Sequence, residues 1–470
     1  MGNKDGKAGV VILILALFIL IALVPWYFIV AGNLDFFNFF DRSPAVAGEA
    51  SDEDTAIAED EDPSSEDEPE EDPESDSEQG SAYETTIEDT VISLLNAYPD
   101  LHRDLNAIAT SFNTTAVSLV AYDGDTGEYY TYEHGHADVE ARRRVDEDTK
   151  FRVASLAKLT TAICIMSLVD DGLIDLDTDI SVYLGYEVRN PQYQTDIITT
   201  RMLLQHTSSV FDSGPFQMSR DRDSSESVRF LLERGSPGGQ STSFRRNQPG
   251  THFEYTNFGY SVLGAICENV AGKSLDTFSR EILFEPLGID AAYVPDNLTD
   301  TENIAVLYNE RHVITRSVES QLEVGESALL GHDLHLAQGN LTISALDYAK
   351  ILVMLGNRGT LYGTRILSQE AVRLMHITDV QGASYEQGLA TRYSFGDFIT
   401  NEGFFWHTGS AYGAFAQYIY GANPYMNRGV VVITTGAATE REDNGMVSVC
   451  TEMSLIVWEG LGFSDGIHSN

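Results

Sequence analysis

Residues 8–31 run Ala-Gly-Val-Val-Ile-Leu-Ile-Leu-Ala-Leu-Phe-Ile-Leu-Ile-Ala-Leu-Val-Pro-Trp-Tyr-Phe-Ile-Val-Ala, without one charged side chain. A helix of this length spans about 36 Å, more than the roughly 30 Å of a bilayer's hydrocarbon core. The next segment is opposite in character: residues 49–78 hold 17 acidic side chains and no lysine or arginine. Such a segment buries too little apolar surface to offset the entropy of ordering, and self-repulsion keeps it extended. Both facts confine a folded domain to the residues beyond about 86.

The apolar run is longer than the core of a cleaved signal peptide. Trp26 and Tyr27 stand near its end, as interfacial aromatics do, and Lys4 and Lys7 precede it. Positive charge before the span and acid after it predict a cytoplasmic tail (1–7), a single-pass anchor (8–31) and an extracytoplasmic remainder. Residues 32–85 then read as a disordered acidic tether, with a reach on the order of 100 Å over its most acidic part. The net charge of −43 argues against nucleic acid, whose phosphates it would repel. An anionic lipid surface is disfavoured for the same reason.

Within 86–465 the pattern changes from polar to periodic. Residues 87–112 carry apolar side chains at helical spacing, interrupted at Pro99. Strand runs come next at 116–122 and 128–132, joined through Asp123-Gly-Asp-Thr-Gly127, a hairpin signal. A short strand at 150–153 leads into an apolar helix that starts at Ser155. Residues 170–394 read mainly as helix and loop. Strands return at 404–407, 414–420 and 429–435, and a closing helix spans about 444–459. Strand signals at both ends with helices between predict an α+β fold. Its mainly antiparallel sheet would come from 86–165 and 395–465, with a helical part (166–394) inserted. Cys164, Cys267 and Cys450 lie in apolar helical contexts without metal or disulfide spacing and read as buried free thiols.

Three short motifs carry chemistry. In Ser155-Leu-Ala-Lys158 a first-turn serine has a lysine one turn on, on the same face, so the amine can reach the hydroxyl. Burial would lower that amine's pKa and make it a candidate general base. Tyr255-Thr256-Asn257 offers a phenol to relay a proton and an amide to bind a substrate. His407-Thr408-Gly409-Ser410 closes a strand, where glycine lets a substrate backbone approach and the Ser410 N–H can bind an oxyanion.

In this order the motifs resemble the serine β-lactamase and penicillin-binding D,D-peptidase superfamily, specifically its class C-like branch, over roughly 90–460. Leu203-Leu-Gln-His-Thr-Ser208 and Gly339-Asn-Leu-Thr-Ile-Ser344-Ala-Leu-Asp347 look like structural signatures of that branch. The resemblance implies that Ser155 is acylated, that Lys158 and Tyr255 share the acid–base work, and that Asn257 orients the substrate. The Ser155 and Ser410 N–H groups would form the oxyanion hole. It also implies a cleft between a sheet domain and a helical domain, and no metal or cofactor. The expected substrate is a D-amino-acid peptide of cell-wall type. Esterase, amidase and β-lactamase activity, or a non-catalytic penicillin-binding sensor, are the alternatives. Oligomeric state is not legible.

Departures from the family pattern carry their own expectations. His407 stands where β-lactamases usually have lysine, which replaces a fixed charge by a mostly neutral ring. Arg392 could restore that charge, but reads first as a solvated surface arginine. Ser209 replaces a usual turn glycine, His206 reads as a structural hydrogen-bonding residue, and His332 and His335 lack a third metal partner. Sequons at Asn113, Asn297 and Asn340, and an acidic, lysine-poor composition that suits high salt, suggest nothing more specific.

Overall fold

The computed structural model describes residues 89–463, apart from 221–226, 234–241, 383, 395–402 and 422–426. The expected anchor and tether lie outside the described residues, among which no helix is long and apolar enough to cross a membrane.

In chain order the main elements are β1 (Thr90–Ser93), α1 (Pro99–Ser111), β2 (Ala116–Asp123), β3 (Glu128–Asp138), α2 (Ala157–Asp170), α3 (Asn257–Ala271) and α4 (Ala345–Gly356). Then come β4 (Val380–Gln381), β5 (Glu386–Gln387), β6 (Arg392–Ser394), β7 (Phe404–Ala411), β8 (Ala414–Gly421), β9 (Arg428–Thr435) and α5 (Ser448–Gly460). The strands form one sheet in the order β1-β3-β2-β9-β8-β7-β6-β5-β4, with Arg143–Arg144 also paired to β3. Its seam joins the two chain ends: β2 pairs antiparallel with β9, Val120 opposite Val431. This α+β architecture, with its sheet built from both ends of the chain, agrees with the sequence pattern.

Two details differ from it. Residues 90–93, expected within a helical stretch, are a strand paired parallel to β3, with Val91 opposite Tyr129. Extra ladder hydrogen bonds at the sheet edge outweigh the local helical spacing. The sheet also reaches back before residue 395, because β4 to β6 fold onto the edge of β7. Two- and three-residue strands are too short to show alternation in sequence.

Both faces of the sheet are covered. Val117, Leu119, Ala121, Val430 and Val432 pack on one side with Leu105 of α1 and Met453 and Trp458 of α5. Val120, Tyr122, Val431 and Ile433 face the other way, towards α2, α3 and α4. Strands buried on both faces read as unbroken apolar runs, as Val-Val-Val-Ile in β9 does. The three cysteines are buried and unpaired. Against the second face lies α4, while α2 packs on α3 and is buried almost all round, which fits a helix apolar on every side.

Candidate active site

Ser155 sits where strand turns into helix. Lys150–Arg152 pairs with Thr342–Ser344, Phe151 opposite Ile343, and not with the main sheet. Val153 N–H then bonds Leu341 O at 3.0 Å, which ties the nucleophile segment to the Gly339–Asp347 signature. Ala154 comes next at φ +49°, a left-handed conformation that costs an alanine roughly 1–2 kcal/mol. A 3-10 turn (Ala154–Leu156) then leads directly into α2. From α4, the Tyr348 hydroxyl donates to Leu156 O at 2.9 Å and holds this turn from beneath. The strained bend leaves Ser155 partly exposed above a buried floor.

Lys158 is fully buried one turn on. Its Nζ lies 3.1 Å from Ser155 Oγ, 2.9 Å from Asn257 Oδ1 and 2.6 Å from Gln338 O. Three acceptors use all three N–H groups of an ammonium. The Tyr255 hydroxyl donates to Ser155 Oγ at 2.9 Å. Burial alone would raise that phenol's pKa, but the positive charges of Lys158 and Arg392, helped by its polar contacts with Lys158 and Ser155, bring it below the ordinary value.

The His-Thr-Gly strand passes directly beside the nucleophile. A Cβ on Gly409 would stand 2.2 Å from Val153 O and 3.2 Å from Ser155 N, so glycine is required for β7 to come this close. Ser410, next along β7, is exposed. His407 is buried, and its Nδ1 donates to Thr408 O at 2.8 Å. That tautomer leaves a lone pair on Nε2, which has no partner among the described residues. Burial, then the charges of Arg392 and Lys158, push its pKa well below the ordinary histidine value, so the ring is neutral, as the substitution for lysine suggested.

Arg392 overturns the expectation of a solvated surface residue. Pairing opposite Trp406 in β6–β7 draws it inward. Its guanidinium stacks 4.6 Å from the Tyr385 ring, 5.0 Å from Trp406 and 5.5 Å from Tyr255. Aromatic faces stabilise a weakly hydrated cation that water would otherwise keep at the surface. Arg441, which sequence reasoning missed, is the exposed counterpart. Its Nη1 donates to Thr408 Oγ1 at 2.8 Å and to Gly445 O at 2.9 Å. No local pattern marks it, since it lies in the loop beyond β9.

His206 is structural, as expected. Its Nδ1 accepts from Thr256 N–H at 3.2 Å, and its ring packs 4.5 Å from that of Tyr255. Ser209 takes φ +65°, the conformation a glycine would adopt freely, and its hydroxyl accepts from Asn190 Nδ2 at 2.9 Å. Asp212, also missed, caps the start of α3 and bonds Asn257 on the side away from Lys158. An aspartate in a polar loop gives no distinctive signal in sequence. Among the described residues no cluster of metal-ligating side chains includes His332 or His335.

A serine at a strained helix start, bonded to a buried lysine and a tyrosine and flanked by a glycine strand, defines a beta-lactamase-type active-site arrangement. The Beta-lactamase family model matches residues 105–447, and the chain belongs to that family. It is 34% identical over 146 residues to penicillin-binding protein 4 of Amycolatopsis lactamdurans, covering 31% of this chain and 36% of that one. It is 27% identical over 177 residues to Protein flp of Staphylococcus aureus (strain MRSA252), covering 37% of this chain and 34% of that protein. The chain thus spans about a third of the length of these curated relatives. Among solved structures, the octameric penicillin-binding protein homologue from Pyrococcus abyssi superposes with TM-score 0.61 and 22% identity, covering 78% of this chain and 77% of that chain. The class C beta lactamase from Rhodobacter sphaeroides does so with TM-score 0.59 and 19% identity, covering 76% and 99%. At these identities the superpositions speak for the fold alone.

Proposed function

We propose that the protein is a serine hydrolase that forms an acyl-enzyme on Ser155 and acts on D-amino-acid peptides ending in a free carboxylate. The observation that carries this is the convergence of Lys158 Nζ and Tyr255 Oη on Ser155 Oγ, at 3.1 and 2.9 Å. The Lys158 hydrogen bonds suit a resident ammonium, so the base role falls to Tyr255 as phenolate. Tyr255 takes the serine proton as Oγ attacks the carbonyl carbon, then returns it to the leaving amine as the tetrahedral intermediate collapses. Water repeats the sequence in reverse to release the acid. The developing oxyanion would be held by the Ser155 and Ser410 N–H groups.

Thr408 and Arg441 are the groups that would take the free carboxylate. Because Arg441 donates into Thr408 Oγ1, the threonine's own hydrogen remains available to a substrate. With the guanidinium beside it, the pair suits a planar anion. This replaces the charge that His407 does not provide. Esterase action on small esters is the second reading, favoured by the neutral His407.

Labelled penicillin and a fluorophosphonate should each modify Ser155, with Ser155→Ala unlabelled. Wild-type protein that is folded and unlabelled by both would refute the enzyme reading. Peptides ending in D-Ala-D-Ala should be cleaved at least tenfold faster than their C-terminal amides, since removing one partner of a charge-assisted pair costs about 1.5–3 kcal/mol. Equal rates would favour the esterase. We place the domain outside a membrane on an 8–31 anchor and acidic tether. Carbonate-resistant sedimentation of the full chain, abolished by deleting 8–31, is the expected result.

A further inference from the structure

We propose that Asp212 is a positioning residue that fixes which way round the Asn257 amide sits, and through it the hydrogen bonding of Lys158. The inference rests on the hydrolase reading for its kinetic consequence. One Asp212 carboxylate oxygen accepts from Thr256 Oγ1, Asn257 N–H and Phe258 N–H, each at 2.8 Å. The other accepts from Asn257 Nδ2 at 2.8 Å. An ionised carboxylate only accepts, so Nδ2 must face Asp212 and Oδ1 must face Lys158 Nζ, 2.9 Å away. Reversed, the amide would present its N–H groups to the ammonium and its oxygen to the carboxylate, an unfavourable contact at both ends. Lys158 would then lose one of its three acceptors and with it the fixed placement of its charge beside Ser155 and Tyr255. One of the two Nδ2 hydrogens is spent on Asp212, which leaves a single amide N–H for a substrate.

The test is a swap of the two side-chain types on the folded catalytic domain in its full chain. Asp212→Asn keeps the size and can still accept from the helix start, but its own amide N–H faces Asn257 Nδ2. Relief of that clash turns Asn257 over. Acylation of Ser155 by a fluorophosphonate should slow on the order of 100-fold, the scale of losing one oriented polar group in an active site. The double variant Asp212→Asn with Asn257→Asp restores acceptor against donor at both contacts, and should recover at least tenfold of that loss. It should also melt above the temperature expected from adding the two single variants, because neighbours in one network couple. Asp212→Asn at the wild-type rate would overturn the proposal. So would a swap with no recovery and additive melting shifts. The melting cycle reads the polarity without any acylation, so an unlabelled wild type would sink the hydrolase reading and leave the amide orientation decided by stability.

Discussion

The Tyr255 phenol donates to the Ser155 hydroxyl over 2.9 Å, although 100 residues separate them in sequence. Once the phenol has lost its proton, the same contact lets it take the serine's. Because Lys158 and Arg392 bring the Tyr255 pKa below the ordinary phenol value despite burial, the basic form gains ground as pH rises through that lowered value. Acylation should therefore climb with pH, with an acid limb that inflects below about pH 10. Arg392→Met removes one of the two charges and should move the inflection upward, lowering the rate at neutral pH. Arg392→Lys should keep most of it. A pH–rate profile of each variant checks this, and an inflection unmoved in Arg392→Met would contradict it.

Lys158 is fully buried, and its three hydrogen bonds are all to protein acceptors. Lys158→Ala should slow Ser155 acylation by roughly 10³–10⁴-fold, because nucleophile and partner act as a unit. Adding Tyr255→Phe should cost much less than a second loss of that size. Stopped-flow labelling of the single and double variants measures the difference. Fully additive losses would mean that the two groups act independently.

Gly409 has no room for a side chain, with Val153 O and Ser155 N at 2.2 and 3.2 Å from where a Cβ would stand. Gly409→Ala should force β7 away from the nucleophile and spoil the oxyanion pair. A kcat loss of about 10²–10³ is expected, the scale of one oxyanion donor, with KM much less affected. Steady-state kinetics on an activated ester would check it. Unchanged kcat would show that β7 does not build the oxyanion hole.

Glu268, on α3, accepts from Leu275 N–H at 3.1 Å and Gly331 N–H at 2.7 Å. Burial pushes its carboxyl up to about 7, with Asp333 and Glu326 adding, against the pull of those two hydrogen bonds. The folded state therefore holds a proton that the unfolded chain releases near about pH 4.3, and stability falls as pH rises between those values. At pH 8 the charged form costs roughly 3 kcal/mol relative to acid conditions. Glu268→Gln has one acceptor oxygen for these two N–H groups, but it does not titrate, so its melting temperature relative to wild type should rise by several degrees from about pH 4.5 to about pH 8. Melting curves across this range decide it, and a constant difference between the two proteins would rule out titration of Glu268.

The sequence by itself determined the strands at both chain ends, the apolar helix after Ser155 and the three motifs. Each of these is written in adjacent residues: β9 as an unbroken apolar run, the Asp123–Gly127 turn as a glycine-bearing hairpin, Ser155 and Lys158 as one helical turn. Only the tertiary structure decided where Arg392 goes, that Arg441 stands beside Thr408, and that Asp212 grips Asn257. Those contacts join residues 33 to 45 positions apart, or set a cation among rings from three segments. Local propensity extends over a turn or a hairpin, whereas a buried charge finds its partners only when the whole sheet and its helices have closed around it.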